Sequence, residues 1–144
     1  MKQTGVITLQ KGGEIRMEFY PAEAPKTVEN FVTLAKKGFY NGLTFHRVVP
    51  DFVVQGGCPK GNGTGGPGYQ IKAEFNKRPF DRGVLGMART QEPNSAGSQV
   101  YIMLGPAHFL NGQYTAFGKV TKGMDLVDKI KVGDRIKIIK VVDK

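Results

Sequence analysis

The most restrictive feature of this chain is a series of short β-like segments, interrupted by only two helical patterns. The first segment contains two β-rich runs around Gly12-Gly13, and a Gly-Gly pair permits the positive φ angles of a tight hairpin turn. Strand-like runs follow at 44–48 and 52–56, around Pro50, and then at GVLGMAR, SQVYIML, YTAFGKV and RIKIIKVV. About eight short strands with mostly short connections predict a mainly β fold, a closed antiparallel barrel, because closure removes exposed edges.

Two helical patterns are expected to cap the open ends of this barrel. Pro25 suits the first position of a helix, where its missing N–H has no intrahelical partner to lose. Apolar residues then recur at helical spacing as far as Gly38, a residue typical of helix ends. The first helix is therefore placed at about 25–37, and TKGMDLVDKIK predicts a second, short helix near 123–130.

Composition narrows the class of protein. No linker, repeat or charge block divides the chain, so we expect residues 1–144 to form one domain. The hydrophobic fraction of 40% and the charged fraction of 23% are typical of a soluble globular protein. No apolar run reaches the roughly 18 residues that a membrane span needs, and the first residues lack a signal-peptide pattern. Cys58 is the only cysteine, so we expect a reducing, cytoplasmic location.

Several common functional motifs are absent or out of context. Gly61-x-Gly63-x-x-Gly66 matches a dinucleotide fingerprint in letters, but it leads into Pro67 rather than into a helix. The two histidines and the cysteine show no metal-ligand spacing, so we expect no metal site. The net charge of +9 comes from scattered lysines and arginines, and nucleic acid is not the expected partner.

The segment TFHRVVPDFVVQGG, residues 44–57, contains an unusual charge. If 44–49 alternate as a strand, Phe45, Arg47 and Val49 share one face. Arg47 is then either a solvated charge or a charge placed on an apolar surface. Since acid–base, nucleophilic and metal chemistry find little support in the sequence, any reaction here should need only electrostatics and shape.

Six stretches occur in the order APKTVENFVTLAKKGFYNG, FHRVVPDFVVQGG, GNGTGGPGY, GVLGMAR, GSQVYI and FLNGQYTAFGKV, within a resemblance that extends over about Gly5 to Val142. Together they resemble the cyclophilins, a family of peptidyl-prolyl cis–trans isomerases, and the short loops resemble the compact bacterial type. The resemblance implies an eight-stranded barrel with two capping helices, rotation about X–Pro peptide bonds and no cofactor. It implies proline-containing peptides and unfolded protein clients as partners, and we expect a monomer that assists folding.

The resemblance also implies a set of site residues. Arg47 matches the family's catalytic arginine, and Gln55 matches the glutamine that helps to hold the substrate backbone. The substrate-binding positions that match are Phe52, Val53, Ala88, Arg89, Gln99, Tyr101, Phe109, Leu110 and Tyr114. Of these, Phe52, Tyr101 and Leu110 would form an apolar wall around the proline ring.

Four of these positions depart from the family pattern. Arg89, with Thr90 after it, stands where Asn-Ala is usual, so only backbone contacts are expected to be kept there. Tyr101 stands where phenylalanine is usual, and alternation places Tyr101 on the pocket side with Gln99. A phenol there needs a hydrogen-bond partner or access to water. Phe109 replaces the tryptophan of many eukaryotic members, so we expect only weak cyclosporin binding, and Tyr114 replaces a histidine.

Two other functions stay open at this point. One is a binding module or chaperone that holds proline peptides with weak turnover, which Tyr101 and Tyr114 favour and Arg47 disfavours. The other is a basic accessory protein that binds RNA or an acidic partner through its +9 charge, in which case binding would depend strongly on salt.

Overall fold

The computed structural model describes residues 3–143, and its regular elements there are eight strands, two α-helices and a 3-10 turn at His108–Leu110. The helices are α1 (Pro25–Lys36) and α2 (Met124–Val127). The strands are β1 (Gln3–Leu9), β2 (Glu14–Phe19), β3 (Arg47–Val49), β4 (Val53–Gly56), β5 (Val84–Met87), β6 (Val100–Met103), β7 (Ala116–Lys122) and β8 (Ile136–Asp143).

The sequence patterns at Gly12-Gly13 and Pro25 predicted the first hairpin and the first helix close to their observed positions. The β1–β2 hairpin is confirmed, with φ angles of 105° at Gly12 and 98° at Gly13. Helix α1 ends one residue before the predicted boundary, and Gly38 follows its last residues with a φ of 76°. Helix α2 is shorter than predicted. Asp128 N–H still bonds to Met124 O, four residues back, but the N–H groups of Lys129 and Ile130 bond to carbonyls three residues back, as in a turn.

The strands form one eight-stranded sheet in the order β3-β4-β6-β5-β7-β2-β1-β8, and all of the pairings are antiparallel. In the part of the chain that the structure describes, the edge strands β3 and β8 share no ladder. The segments that precede them are joined instead by a short seam of backbone hydrogen bonds, such as Phe45 N–H to Asp134 O at 2.9 Å. The fold is therefore mainly β, as predicted. Its sheet is curled, and among residues 3–143 the seam is what links the two edges.

The two faces of the curled sheet bury separate clusters of side chains. The inner cluster is packed around Phe31 of α1, whose ring lies 5.7 Å from Phe19 and 5.4 Å from Phe117. The outer cluster includes Val53, Phe80, Val84, Tyr101, Met103, Ala107, Leu110 and Ala116. These packed side chains of the outer cluster provide an apolar surface on which a binding site can form.

The prediction that Phe45, Arg47 and Val49 share one face was wrong for Phe45. Its side chain is buried in the inner cluster, whereas Arg47 is exposed and Val49 packs against the outer cluster. The reason is that the regular strand begins only at Arg47, so the alternation of a strand does not extend back to Phe45.

The turn between β3 and β4 contains Asp51 at a φ of 62°, and Phe52 N–H closes it on Val49 O at 3.0 Å. A left-handed conformation costs an L-residue about 1–2 kcal/mol, although aspartate tolerates it better than a β-branched residue does. We expect Asp51→Val to lower the free energy of unfolding by about 1–2 kcal/mol, measured in urea, whereas Asp51→Gly does not lower it. Equal stability of the two variants would contradict this account of the turn.

Candidate active site

One cross-strand row forms the base of the candidate site. Arg47 on β3 pairs with Gln55 on β4, and Gln55 pairs with Tyr101 on β6. Tyr101 pairs with Gly86 on β5, and Gly86 pairs with Ala116 on β7. Residues directly opposite one another on neighbouring strands project to the same face of a sheet. The row therefore places a guanidinium, an amide and a phenol side by side on the outer face.

A cavity of about 230 Å³ lies over this row. It is lined by Arg47, Phe52, Val53, Gln55, Ala88, Arg89, Tyr101, Phe109, Leu110 and Tyr114. All of the residues predicted for the site except Gln99 thus surround one cavity. Four segments that are distant in the chain, around 47–55, 88–89, 101 and 109–114, meet there because of the order of the strands.

A chain of polar contacts holds the charged edge of the cavity. Arg47 Nη1 donates to Gln55 Oε1 at 3.2 Å, and Gln55 Nε2 donates to Gln99 Oε1 at 3.1 Å. Gln99 Nε2 donates in turn to the carbonyl oxygens of Gly63 and Gly65, both at 2.9 Å. The Gln99 side chain, itself held by the glycine-rich loop, therefore fixes the orientation of the Gln55 amide. The exposed Arg47 is oriented by Gln55 rather than left free in solvent.

Aromatic side chains form the apolar part of the cavity. The rings of Phe52 and Phe109 lie 6.0 Å apart at the mouth, where Phe109 is 75% exposed. The ring of Tyr101 stacks on Phe80 at 6.0 Å and meets the edge of Tyr114 at 6.3 Å. These separations are typical of favourable aromatic pairs, so the walls are fixed by packing on one another.

Among the described residues that line this cavity, Tyr101 and Arg89 each have a buried side-chain polar atom without a hydrogen bond. The buried atom of Tyr101 is its hydroxyl oxygen. The side chain of Tyr101 is buried, at 5% exposure, and its hydroxyl has no hydrogen-bond partner among residues 3–143. Within the described part of the chain, the hydroxyl therefore has neither the expected protein partner nor an exposed surface. Burial raises the pKa of the phenol above its ordinary value, Tyr114 adds to this, and the Arg89 charge opposes it. The phenol stays neutral at any physiological pH.

Removing the Tyr101 hydroxyl should stabilise the protein. A buried polar group without a partner costs about 1–3 kcal/mol, so we expect Tyr101→Phe to raise the free energy of unfolding by about 1 kcal/mol. The matched control is Tyr40→Phe, because the buried Tyr40 hydroxyl donates to Ser98 O at 2.9 Å and its loss should destabilise. Urea unfolding of both variants checks the opposite signs, and a loss of stability in Tyr101→Phe would contradict the prediction.

A second, larger cavity of about 840 Å³ adjoins the first. The two cavities share Gln55, Ala88 and Arg89 in their linings. The larger cavity continues along the glycine-rich loop 63–70 and the segment 95–99, and Gln99 lines it. The glycine-rich loop that resembled a dinucleotide fingerprint is thus one wall of this cavity and begins no helix.

Three residues of the site were missed in the sequence. Phe80 supports Tyr101, the Gln113 carbonyl holds Arg89 at 2.7 Å, and Gly86 leaves the space in which the Tyr101 ring lies. A glycine inside the strand-like run GVLGMAR was an available signal, since it often marks a close approach. Phe80 and Gln113 carry no such local signal.

Other chemistry-bearing side chains lie apart from this cavity. Cys58 is buried, and its sulfur accepts the Gly65 N–H at 3.2 Å. Burial, and then the Arg47 charge, lower the pKa of His46 below its ordinary value. Within residues 3–143 no group of three or more histidine, cysteine or acidic side chains could hold a metal ion. No helix in the same range has both the length and the apolar character needed to cross a membrane.

Comparison with known proteins identifies the family of this chain. Residues 5–142 match the family model described as cyclophilin type peptidyl-prolyl cis-trans isomerase/CLD. The chain is 49% identical over 141 residues to peptidyl-prolyl cis-trans isomerase B of Bacillus subtilis, with 96% of this chain and 98% of that protein covered. A peptidyl-prolyl cis-trans isomerase of Synechococcus elongatus is 46% identical, with 96% and 97% covered.

A solved structure shows the same architecture. The cyclophilin type peptidyl-prolyl cis-trans isomerase of Cryptosporidium parvum superposes with a TM-score of 0.92 at 30% identity, covering 100% of this chain and 99% of that one. A second structure of that protein, in the presence of the dipeptide Ala-Pro, has a TM-score of 0.89 at 30% identity, with 98% and 99% covered. The chain therefore belongs to the cyclophilin-type peptidyl-prolyl cis–trans isomerases.

Proposed function

We propose that this protein isomerises X–Pro peptide bonds in unfolded or flexible polypeptides, and that Arg47 is the catalytic group. The observation that carries the proposal is the position of the Arg47 guanidinium, which Gln55 holds at 3.2 Å on the edge of a cavity with aromatic walls. A charge fixed beside a ring-sized apolar cavity suits a substrate that is itself an apolar ring next to an amide.

The reaction is a rotation about the C–N bond, so no covalent bond is made or broken and no acid, base or metal is required. Amide resonance opposes rotation about X–Pro with a barrier of roughly 18–20 kcal/mol. In the twisted transition state the proline nitrogen regains its lone pair and becomes a better hydrogen-bond acceptor. Arg47 would donate to that nitrogen and so stabilise the twisted form more than the planar one, which is the condition for catalysis.

The other residues would bind and orient the peptide. The rings of Phe52 and Tyr101 and the side chain of Leu110 would hold the pyrrolidine ring, with Val53, Phe109 and Tyr114 completing the wall. Gln55 would orient both Arg47 and the substrate backbone, and Gln99 would keep Gln55 in place. The main chain at Ala88 and Arg89 would pair with the peptide on the side of the larger cavity.

Further properties follow as proposals from the same features. The clients would be proline-containing unfolded segments, which the Ala-Pro dipeptide in the Cryptosporidium parvum study supports, and the protein would act as a monomer with a folding-chaperone role. Cyclosporin binding would be weak because Phe109 offers no N–H.

The buried free thiol of Cys58 favours a reducing, cytoplasmic compartment. The seam between 42–45 and 133–136 would close the curled sheet into the expected barrel.

The experiment that tests the proposal is NMR exchange spectroscopy on a short X–Pro peptide with and without the protein. We expect the cis–trans exchange rate to rise in proportion to protein concentration. The surface variant Lys119→Ala, which changes an exposed residue of β7 outside both cavities, serves as the control and should behave like the wild type. If the peptide binds while its exchange stays at the uncatalysed rate, the site is a proline-binding module.

A further inference from the structure

We propose that Arg89 makes this enzyme select X–Pro segments that carry an acidic side chain one or two residues from the proline. This inference rests on the proposed isomerase function and adds the class of substrate. It concerns the junction of the two cavities, where Arg89 is one of the three residues that both linings share.

The charges around the two cavities are all of one sign. Among the described residues that line them, the only ionised side chains are Arg47 and Arg89, and no aspartate or glutamate takes part. The structure pairs other arginines with carboxylates, such as Arg78 with Glu23 at 3.3 Å and Arg82 with Asp128 at 2.7 Å. Arg47 and Arg89 have no such ion pair within residues 3–143. A substrate carboxylate would supply the missing counter-charge.

Arg89 is also fixed in place before a substrate arrives. Its Nη1 donates to Thr90 O at 2.8 Å, and its Nη2 donates to Gln113 O at 2.7 Å. The guanidinium carbon lies 4.2 Å from the centre of the Tyr114 ring, a favourable cation–π distance. Backbone carbonyls and a ring orient the guanidinium without neutralising it. The cation is therefore held, half-buried and with its full charge, beside the cavity that we assign to proline.

The place of Arg89 in the lining of both cavities sets the position of the acidic residue. With the proline ring in the smaller cavity, an extended chain advances about 3.3–3.6 Å per residue. The shared boundary at Arg89 is then within reach of side chains one or two residues away from the proline. A glutamate there can accept a charge-assisted hydrogen bond, which is stronger than a neutral one, whereas a glutamine of equal shape offers no charge.

The test compares matched Glu and Gln peptides, with the substitution one or two residues before or after the proline. The measured quantity is the ratio of kcat/KM for the Glu peptide to that for the Gln peptide, obtained by NMR exchange. We expect a ratio of about five for the wild type at the best position, as suits a partly exposed ion pair. The ratio should fall as salt rises from about 50 to about 500 mM, because salt screens the attraction.

Arg89→Gln should reduce this ratio at least about threefold, whatever it does to the absolute rates, and Arg89→Lys should retain part of it. The matched control is Arg135→Gln, since Arg135 also donates to a backbone carbonyl, Gly42 O at 2.8 Å, and lines neither cavity. That variant should keep the wild-type ratio.

A wild-type ratio near one at every position overturns the proposal, and so does an unchanged ratio in Arg89→Gln. If no peptide is isomerised at all, the proposed function has failed rather than this inference. The preference is then measured as the ratio of the dissociation constants of the Gln and Glu peptides, obtained by NMR titration. A preference for the Glu peptide that Arg89→Gln reduces supports the inference, and an unchanged ratio overturns it.

Discussion

Replacing Arg47 by alanine is expected to lower kcat/KM for X–Pro exchange by about a hundredfold, the loss typical of removing one pre-organised transition-state donor. The effect should lie mainly in kcat, because the proline nitrogen accepts a strong hydrogen bond only when the amide is twisted. NMR exchange spectroscopy gives the rate, and a titration followed by chemical shifts gives the affinity for the same peptide.

The magnitude follows from what Arg47 can contribute at its observed position. A hydrogen bond to a charged group contributes about 1.5–3 kcal/mol, and each 1.36 kcal/mol corresponds to tenfold in rate. Arg47 is exposed, which limits its electrostatic effect, but the contact with Gln55 at 3.2 Å fixes its direction. Gln55→Ala should therefore lower kcat as well, by less than Arg47→Ala does, because the charge remains and only its orientation is lost.

Arg47→Lys provides the matched control for charge. Lysine keeps a positive charge at this place, but its ammonium group lacks the planar fork of donors that can bind Gln55 and the substrate together. We expect an activity between those of the wild type and Arg47→Ala. If Arg47→Ala stays within about twofold of the wild type, a step of well under 1.36 kcal/mol, the guanidinium is not the catalytic group.

The part of the site that sequence could predict is the part encoded locally. Arg47 and Gln55 face each other across one short hairpin, so a single motif contains both the charge and the residue that orients it. The helix start at Pro25 and the turn at Gly12-Gly13 are likewise set by residues at the boundary itself. Such features depend on residues that are close in the sequence, so a short motif is enough to predict them.

The parts that sequence could not predict depend on contacts between distant segments. Arg89 is held by a carbonyl 24 residues later, and nothing near Gln113 indicates that role. Phe45 follows a strand-like alternation but is buried in the inner cluster, because the hydrogen bonds of 42–45 go to 133–136 rather than to a regular ladder. The extent of closure of the sheet depends on the same long-range seam.

Gly86 carries a local signal of a close approach, but only the fold shows that its neighbour is the Tyr101 ring, and this contact predicts the largest effect on stability. A Cβ at Gly86 would lie 2.4 Å from Cζ, 2.5 Å from Oη and 2.6 Å from Cε1 of Tyr101. The ring has little room to yield, since it stacks on Phe80 at 6.0 Å and is buried. Overpacking of a core of this kind costs about 1–3 kcal/mol, so we expect Gly86→Ala to lower the free energy of unfolding by about 3 kcal/mol.

The same substitution should impair catalysis, because the Tyr101 ring forms the floor of the smaller cavity. Urea unfolding measures the stability and NMR exchange measures the rate. Gly66→Ala is the control for stability, since a Cβ at Gly66 meets no atom within 4 Å and the change should leave the free energy of unfolding nearly unaltered.

A second substitution separates the proposed clash from a general weakness of strand β5. Tyr101→Leu in the Gly86→Ala background removes all three close atoms, so it should restore much of the lost stability. Tyr101→Phe removes only Oη, so it should add little beyond the gain of about 1 kcal/mol expected from the same change in the wild type. Non-additivity of Tyr101→Leu with Gly86→Ala is the signature of two residues in direct contact. If Tyr101→Leu and Gly86→Ala destabilise additively, Gly86 is required by its backbone rather than by the ring, and the aromatic floor of the site does not depend on it.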